Sequence, residues 1–239
     1  MNLVVDIGNN YFKLGVFQDS NLLFNLSKNN NFIHQIIPEV LKKYDAINYA
    51  LISNVSSINI NDILPAHIEL FELNHSLKLP FSIQYDTKDS LGNDRVALAA
   101  AAAYQFPMKN NLIIDAGTCI TIDLLDNKSV FHGGLISPGI SMRYKSLHDN
   151  TSALPLLEKH QNFTYPGNST KKSIHTGVMG GVSHEINGFI TELNSKYKDL
   201  NIILTGGDAK FLSKTLKITI FANQIFILEG INYILNLNK

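Results

Sequence analysis

Two short segments of the sequence combine an acidic residue with a glycine two positions later. The first is Leu3–Gly8 (LVVDIG) and the second is Leu112–Gly117 (LIIDAG), so that Asp6 and Asp115 lie 109 positions apart (115 − 6). In each segment an apolar run typical of a strand leads to the acidic residue, and the glycine predicts a tight turn that a ligand can approach closely. Two such turns would present backbone N–H groups and two carboxylates, which suits a nucleoside triphosphate and its metal ion.

The first turn, Asp6–Asn10, has the composition of an anion-binding loop, and Lys13 follows on the next predicted strand. Successive backbone amides in a Gly/Asn turn form a concave site for an anion. Asp6 is then a candidate magnesium ligand through water, and Lys13 is a compact cation that can offset phosphate charge. The alternative is a plain hairpin, in which the Asp and Asn residues only favour the turn.

The second turn, Asp115–Thr118, offers a similar set of groups. Thr118 supplies a hydroxyl where phosphate oxygens would lie, and Asp115 supplies hard oxygen atoms for a cation. The plain-hairpin alternative applies here as well. The recurrence of the pattern in the other half of the chain favours a function for both turns.

A third candidate, Gly92–Arg95 (GNDR), precedes an alanine-rich segment that reads as a helix. Asp94 is a good N-cap, which is the alternative to any functional role. Arg95 is less easily explained, because a cation in the first turn opposes the positive end of the helix dipole. Asp94 could accept the proton of an attacking hydroxyl, and Arg95 could orient an anionic or polar substrate.

Two glycine-rich segments are weaker candidates. The string Gly133–Pro155 contains the bends Gly-Gly and Pro-Gly and could shape the wall of a substrate pocket. The segment Thr205–Asp208 (TGGD) follows a predicted strand, and Gly206 and Gly207 would allow a flat ring or ribose to approach, as an adenosine site requires. Gly-Gly turns are common, so each segment alone predicts little.

The elements that position these residues occur in a repeated order, three strands joined by tight turns and then alternating helices and strands. That order predicts two related α/β halves, 1–106 and 107–239, with a cleft between them. The predicted strands are 2–7, 11–17, 21–27, 47–53, 68–73, 112–115, 119–125, 129–136, 201–204 and 217–221. The predicted helices are 33–43, with a kink or restart at Pro38, 91–105, 140–148, 170–196 and 224–236. Residues 155–169 read as an irregular loop.

Composition argues against several classes of protein. Twenty basic and twenty acidic residues leave no net charge, so a nucleic-acid partner is not predicted. The longest apolar stretch, Val96–Tyr104, is far shorter than the roughly 20 residues that span a bilayer. The single cysteine, Cys119, excludes an internal disulfide and fits a reducing compartment, so a cytoplasmic location is expected. The histidines lack metal-ligand spacing, and a zinc site is not predicted.

These motifs resemble those of type III pantothenate kinases. The matching strings, in the family's order, are DIGNNYFKLGVF, GNDR, DAGTCITID, GGLISPGISM with TSALP, TKKSI and LTGGD. The resemblance covers nearly the whole chain, and the ordered set is far more specific than any single motif. It differs from the family pattern at Asn10, where a threonine is common, and at Cys119, where a small residue is common.

The resemblance implies a fold and an activity. The fold is the duplicated ribonuclease-H-like fold of actin-like ATPases and sugar kinases, with a mixed five-stranded sheet in each half. The activity is transfer of the γ-phosphoryl group of ATP to pantothenate, the first step towards coenzyme A. Magnesium and a monovalent cation, potassium or ammonium, are implied as cofactors, and the active unit is a homodimer.

The resemblance also implies a role for each matching residue. The ATP phosphate loop comprises Asp6, Ile7, Gly8, Asn9, Asn10, Tyr11, Phe12 and Lys13. Thr118 matches a further ATP contact, and Asp115 matches the ligand of the monovalent cation. Asp94 matches the catalytic base. The pantothenate contacts are Tyr85, Gly92, Asn93, Asp94, Arg95 and, from the partner subunit, Thr170.

Two other readings remain open at this point. One is another small-molecule kinase of the same fold, for instance a sugar or acetate kinase, which would keep both Asp-x-Gly turns but is not expected to combine GNDR with TSALP. The other is a non-catalytic nucleotide-binding regulator or filament protein. Asp94 and Arg95 argue against the regulator, as does the lack of a basic DNA-binding element.

Overall fold

The computed structural model describes residues 1–74, 76–213, 216, 221–222 and 225–239. The strands are β1 (Asn2–Ile7), β2 (Tyr11–Gln18), β3 (Asn21–Asn29), β4 (Tyr49–Asn54), β5 (Glu69–Glu72), β6 (Ser82–Ile83), β7 (Asn110–Ala116), β8 (Cys119–Leu125), β9 (Val130–Pro138), β10 (Leu200–Thr205) and β11 (Phe221–Ala222). The helices are α1 (Ile33–Lys43), α2 (Asn93–Gln105), α3 (Ile140–Asp149), α4 (Thr170–His175), α5 (Gly181–Lys196), α6 (Ala209–Leu212) and α7 (Phe226–Asn238). Short 3₁₀ turns occupy Asn30–Phe32, Asn61–Ile63 and Lys88–Ser90, and a π-helical turn occupies Thr176–Gly180. The predicted α/β class is confirmed.

The chain packs as two compact units. The first unit comprises residues 1–108, 129–131 and 225–239, and the second comprises 109–128 and 132–224. The predicted division into 1–106 and 107–239 stays a prediction. In the structure, the closing helix α7 packs within the first unit.

The sheet of the first unit has the order β3-β2-β1-β4-β5. β1, β2 and β3 form the predicted antiparallel meander, and β4 and β5 continue the sheet in parallel. β1 is buried along its whole length, as a central strand covered on both faces must be. The C-terminal end of β1 therefore lies in a rigid core, which fixes the position of Asp6.

Helices α2 and α7 pack closely in the first unit because one of them carries a glycine at the contact. A Cβ at Gly230 of α7 would lie 1.9 Å from the carbonyl oxygen of Ala97 in α2. Six consecutive residues of α2, Ala97–Ala102, are almost fully buried. Small side chains on α2 and a glycine on α7 let the two helices approach, and this contact holds the start of α2, with Asp94, in place.

The second sheet has the order β11-β10-β7-β8-β9-β6 among the described residues. β7 and β8 are antiparallel, and β10 and β11 run parallel to β7, which repeats the arrangement of the first sheet. The two-residue strand β6 adds to the five expected strands by pairing with Val130 and Phe131 of β9. The mixed sheets expected from the duplicated pattern are thus present.

The predicted helices are present, with two differences in detail. α1 runs through Pro38 as one helix instead of restarting there. The missing N–H of Pro38 leaves the carbonyl of His34 without its usual donor, and because both residues are exposed, water can replace that bond. The predicted helix 170–196 contains the π-helical turn between α4 and α5.

The remaining predictions concern the C-terminal part and the loop. The predicted strand 217–221 lies outside the described residues except for Phe221, which begins β11. Residue 224, the predicted start of the closing helix, also lies outside them, and α7 begins at Phe226. Residues 155–169 contain neither helix nor strand, as predicted. No helix within the described part of the chain has the length and hydrophobicity needed to cross a membrane.

Candidate functional site

Asp6 is held at the end of β1 by residues of both neighbouring strands. The strand register pairs it with Lys13 of β2 and with Ser53 of β4. Ser53 Oγ donates a hydrogen bond to Asp6 Oδ1 (3.1 Å), and Lys13 Nζ lies 3.8 Å from Asp6 Oδ2. Asp6 is only 7% exposed. The sheet therefore presents one buried carboxylate with a lysine beside it.

Burial raises the pKa of Asp6 above the ordinary value of 3.8. The nearby Lys13 ammonium and the Ser53 hydrogen bond lower the pKa, and the negative charge of Asp94 raises it further. The direction of the net shift shows that the protein compensates the Asp6 charge incompletely. A cation bound at this carboxylate would supply the missing compensation.

The first turn projects from this core. Gly8 N–H donates to the carbonyl of Tyr11 (3.0 Å), which closes the hairpin, and Asn9 and Asn10 are exposed at its tip. Ile7 and Phe12 are fully buried in the core of the first unit. Of the predicted phosphate loop, these two residues can therefore reach a ligand only through their backbone.

Asp94 lies in the first turn of α2, in the same unit as Asp6. Its Oδ1 accepts a hydrogen bond from the backbone N–H of Arg95 (2.8 Å), and a Cβ at Gly92 would lie 2.5 Å from that oxygen. The φ of Gly92 is −58°, which any residue can adopt, so a side chain at residue 92 would act by displacing the Asp94 carboxylate. The carboxylate occupies the volume that a side chain at residue 92 would fill.

Arg95 is 4% exposed, and its guanidinium lies against two aromatic rings. The guanidinium carbon is 5.6 Å from the ring centre of Tyr85 and 5.9 Å from that of Phe131. Such cation–π contacts are favourable for an arginine. The structure therefore brings together Tyr85 and Arg95, two of the predicted substrate contacts.

Asn93 opens onto a cavity of about 340 Å³ at the carboxyl ends of β4 and β5. Its lining is mixed, with the apolar Ile52 and Leu73 and the polar Asn54 and Glu72 among the residues around it. The volume is within the range of small-molecule pockets. A small polar substrate can approach the start of α2 from this side.

The second turn is shaped by two glycines from elsewhere in the second unit. Gly117 N–H donates to the carbonyl of Cys119 (2.9 Å), which closes the hairpin. A Cβ at Gly139 would lie 2.3 Å from Thr118 O, and a Cβ at Gly206 would lie 2.4 Å from Asp115 Oδ1. Gly139 of the Pro-Gly bend and Gly206 of the segment Thr205–Asp208 therefore pack directly against this turn.

This packing changes the interpretation of Gly206. The residue has a φ of +97°, a region that favours glycine, and its space is filled by Asp115 and Ala116. The backbone alone thus requires glycine there, and its contact with ATP stays a prediction. A Cβ at Gly207 would meet nothing within 4 Å, so that residue borders open space.

Residues of the loop 155–169 contact both the segment Thr205–Asp208 and the helix that begins at Thr170. Lys159 forms an ion pair with Asp208, the residue after Gly207. His160 packs against His175 of α4, with 5.4 Å between ring centres. Thr170 itself is the first residue of α4 and is exposed.

The magnesium prediction fits the donor set of the first unit. No group of three or more His, Cys, Asp or Glu side chains in the described parts of the chain could hold a metal by itself. A magnesium ion bound together with a nucleotide uses one or two carboxylates, the phosphates and water. The buried and incompletely compensated Asp6 suits such a site.

Three residues that support the site were missed by sequence reasoning. Ser53 contacts Asp6 across a parallel strand pair, Phe131 stacks on Arg95, and Asn30 Nδ2 donates to the carbonyl of Gly8 (2.8 Å). Each contact depends on strand pairing or chain packing that local sequence patterns do not reveal. Only Asn30, three residues after the predicted strand 21–27, carried a weak signal, because Asn favours turns.

Comparison with known proteins connects this geometry to a family. The sequence model of the type III pantothenate kinase family matches residues 2–192 of the chain. The type III pantothenate kinase of Christiangramia forsetii is 44% identical over 241 aligned positions, which cover 100% of this chain and 99% of that protein. The protein of the same description from Flavobacterium johnsoniae is 42% identical and covers 97% of this chain and 96% of its own length.

Solved structures show the fold. A proposed Baf family transcriptional activator from Campylobacter jejuni has a TM-score of 0.66 at 22% identity and covers 98% of this chain and 97% of its own. A proposed N-acetylmannosamine kinase from Listeria monocytogenes has a TM-score of 0.54 at 11% identity, with 98% of each chain covered. These likenesses establish the actin-like, sugar-kinase-like architecture. With the full-length match in sequence, the chain belongs to the type III pantothenate kinase family.

Proposed function

We propose that this chain phosphorylates pantothenate with ATP to give 4'-phosphopantothenate, the first step of coenzyme A biosynthesis, with Asp94 as the base. The observation that carries the assignment of the base is the Asp94 carboxylate at the start of α2, for which Gly92 leaves room. Asp94 is the second residue of α2, whose N-cap is Gly92, so its carboxylate is not used as the N-cap of this helix.

Asp94 is suited to take the proton of the acceptor hydroxyl. One carboxylate oxygen is held by the N–H of Arg95, so the carboxylate has a fixed orientation. Phosphoryl transfer of this kind proceeds through a loose transition state, in which positioning and charge stabilisation supply most of the catalysis. A positioned base contributes roughly 10²–10⁴-fold to the rate.

The first turn is the proposed phosphate site. Its exposed Asn9 and Asn10 offer backbone N–H groups, and Lys13 offers a positive charge beside Asp6. Asp6 would hold magnesium through water, and the ion when bound supplies charge that neutralises the phosphates. Thr118 and the Gly206–Gly207 segment are the proposed further contacts of ATP.

Arg95, Tyr85 and Asn93 are the proposed contacts of the acceptor. Pantothenate carries a carboxylate, and a buried guanidinium that packs against two aromatic rings is a good partner for one. Asn93 borders the cavity at the ends of β4 and β5 and could bond the amide or hydroxyl groups of the substrate. We place the enzyme in the cytoplasm, where the single cysteine would stay reduced.

Two features of the second unit support the remaining proposals. Asp115, half-buried at the end of β7, is the proposed ligand of potassium or ammonium. Thr170, exposed at the start of α4, is the proposed contact with the pantothenate of a partner subunit in a homodimer. A Cβ at Gly177, Gly181 or Gly188 would meet nothing within 4 Å, so that this face of the following helix is open to close approach.

A substrate panel tests the proposed function. The wild-type protein is assayed with magnesium and ATP in potassium buffer, with pantothenate, a hexose, glycerol or acetate as acceptor, and the product is identified by mass spectrometry. We expect turnover with pantothenate and none with the others. Turnover with a sugar or acetate alone would favour another kinase of this fold, and ATP binding without any turnover would favour a non-catalytic regulator.

A further inference from the structure

Asn30 connects the end of β3 to the first turn, Asp6–Asn10, which is the proposed phosphate site. It is the first residue of the 3₁₀ turn Asn30–Phe32 and is 9% exposed. Its side-chain Nδ2 donates to the carbonyl of Gly8 (2.8 Å), and its backbone N–H donates to the carbonyl of Asn10 (3.0 Å). Two of the turn's carbonyls are therefore directed towards one buried residue.

The direction of a carbonyl fixes the direction of the next N–H. A trans peptide is planar, and its C=O and N–H point to opposite sides. The Gly8–Asn9 peptide is trans, since the cis bond of the described chain is Tyr165–Pro166. When Asn30 holds the carbonyl of Gly8, the N–H of Asn9 must point away from Asn30, at the exposed tip of the turn.

We propose that Asn30 is a positioning residue that aims the Asn9 N–H at a phosphate oxygen of the bound nucleotide. The inference rests on the proposed function and assigns to this residue a part of nucleotide binding. Asn30 acts through the turn, because its side chain is buried and its Nδ2 is directed at Gly8. Backbone donors fixed before binding cost little reorganisation when the anion arrives.

The two hydrogen bonds of Asn30 have separate consequences. A substitution removes the side-chain bond to Gly8 and leaves the backbone bond to Asn10. The amide oxygen, Oδ1, is buried and accepts no hydrogen bond from the described residues, so a substitution breaks no second hydrogen bond of the side chain. The effect of the change can therefore be assigned to the Gly8 carbonyl.

The neighbouring Asn29 provides a matched control. Its side chain accepts a hydrogen bond from the N–H of Asn31 (3.0 Å) and caps the same 3₁₀ turn. Asn29→Ala removes one hydrogen bond between a side chain and the backbone, one residue away, without releasing a carbonyl of the first turn. Any general loosening of the β3 end would affect both variants.

The test is ATP binding by calorimetry without pantothenate, followed by steady-state kinetics. For Asn30→Ala we expect the Kd and the KM of ATP to rise about tenfold, as the loss of one hydrogen bond to a charged group predicts, with the KM of pantothenate unchanged. Asn30→Leu fills the space but cannot donate, so it should behave like Asn30→Ala. Asn29→Ala should bind ATP like the wild type.

The outcomes separate this inference from the proposed function. Wild-type affinity for ATP in both Asn30 variants would overturn the inference alone. An equal loss in Asn29→Ala, or equal rises in the KM of ATP and of pantothenate, would also overturn it, because the residue would then only stabilise the fold. A wild-type protein that binds ATP but phosphorylates a different acceptor would overturn the proposed function and leave the role of Asn30 standing.

Discussion

Gly92 and Asp94 share one volume at the start of α2. A Cβ at residue 92 would lie 2.5 Å from Asp94 Oδ1, well inside van der Waals contact, while the backbone of Gly92 has a conformation that any residue can adopt. The absence of a side chain at residue 92 therefore leaves the Asp94 carboxylate free to take this position. This relationship links a packing requirement to the proposed catalytic base.

Gly92→Ala should displace the Asp94 carboxylate and lower kcat by about 100-fold, because a shift near 1 Å of a reacting group can have that effect. The fold should be retained, since alanine accepts the backbone angles of residue 92. Steady-state kinetics and a thermal melt of the same preparation measure both effects.

The control for this prediction is the double variant with Asp94→Asn. If Gly92→Ala acts through the carboxylate, it should reduce the residual rate of Asp94→Asn little or not at all. Additive losses in the two variants would show that Gly92 affects the reaction by another route.

Asp94→Asn should abolish phosphorylation of pantothenate and leave ATP binding and the melting temperature close to those of the wild type. The amide oxygen of asparagine can still accept the hydrogen bond from Arg95 N–H, but asparagine is a poor base. The expected loss is roughly 10²–10⁴-fold in kcat. A variant with near wild-type kcat would show that Asp94 is not the base.

Asp6→Asn should inactivate the enzyme and stabilise the protein free of ligands at neutral pH. The pKa of Asp6 in the folded protein is raised above 3.8, mainly by burial, so the folded state binds its proton more tightly than the unfolded state does. The favourable contribution of protonated Asp6 to the stability of the fold is then fully present below about pH 3.8. It is lost as the pH rises through the pKa of Asp6 in the folded protein. At neutral pH the ionised carboxylate destabilises the fold.

Thermal melts of both proteins across this pH range measure the effect. The difference in Tm, variant minus wild type, should grow as the pH rises and vanish at the acid end. Ser53 can still donate to the amide oxygen of the variant, so that hydrogen bond is matched in the comparison. A difference that stays constant with pH, or that favours the wild type at neutral pH, would contradict the assignment.

Activity should depend on potassium or ammonium and fall in sodium alone at matched ionic strength. The proposed reason is the half-buried Asp115, whose hard oxygens suit a large monovalent ion beside the phosphates. Rates in chloride salts of the three ions test this directly. Asp115→Asn should lose most of the difference between the ions, and equal wild-type rates in sodium and potassium would remove the cation site from the scheme.

The sequence predicted the local features of the fold well. β8 spans Cys119–Leu125 as expected, and both Asp-x-Gly turns lie between antiparallel strands. These features depend on apolar runs and turn residues that are adjacent in the chain. Contacts between distant segments were not predictable in this way. The hydrogen bond from Ser53 to Asp6 is an example, because it depends on which strands pair.

The glycines show the same limit in another form. The sequence predicts a bend at Gly139 and close approach of a ligand at Gly206, but each glycine packs against the backbone of the second turn. Sequence alone does not distinguish a glycine that makes room for a ligand from one that makes room for the chain. The difference depends on what occupies the missing Cβ position, which requires coordinates.

The predicted helix 170–196 carries a row of apolar residues at helical spacing, and this row packs within the second unit. Ile174, Val178, Val182, Ile186 and Ile190 are buried in the core of the second unit, so the row does not form an exposed surface for a partner. Gly180 also faces inwards, against the ring of Phe163. The open face is a different one and carries Gly177, Gly181 and Gly188.

Mixing two inactive variants should restore activity if a homodimer completes the pantothenate pocket. Asp94→Asn lacks the base, and Thr170→Trp, at an exposed position, should block the pocket of the partner without disturbing the fold. A mixed dimer contains one pocket free of both changes. Because half of randomly formed dimers are mixed and each has one intact pocket of two, activity should recover to about a quarter of wild type.

The control replaces Thr170→Trp by a chain that carries both changes. Mixed with Asp94→Asn, this double variant leaves no intact pocket in any dimer, so no activity should return. Subunit exchange is verified by mass spectrometry of differently tagged chains. A failure to recover activity despite exchange, or full activity in a species that sediments as a monomer, would show that Thr170 serves its own chain and that the open glycine face has another role.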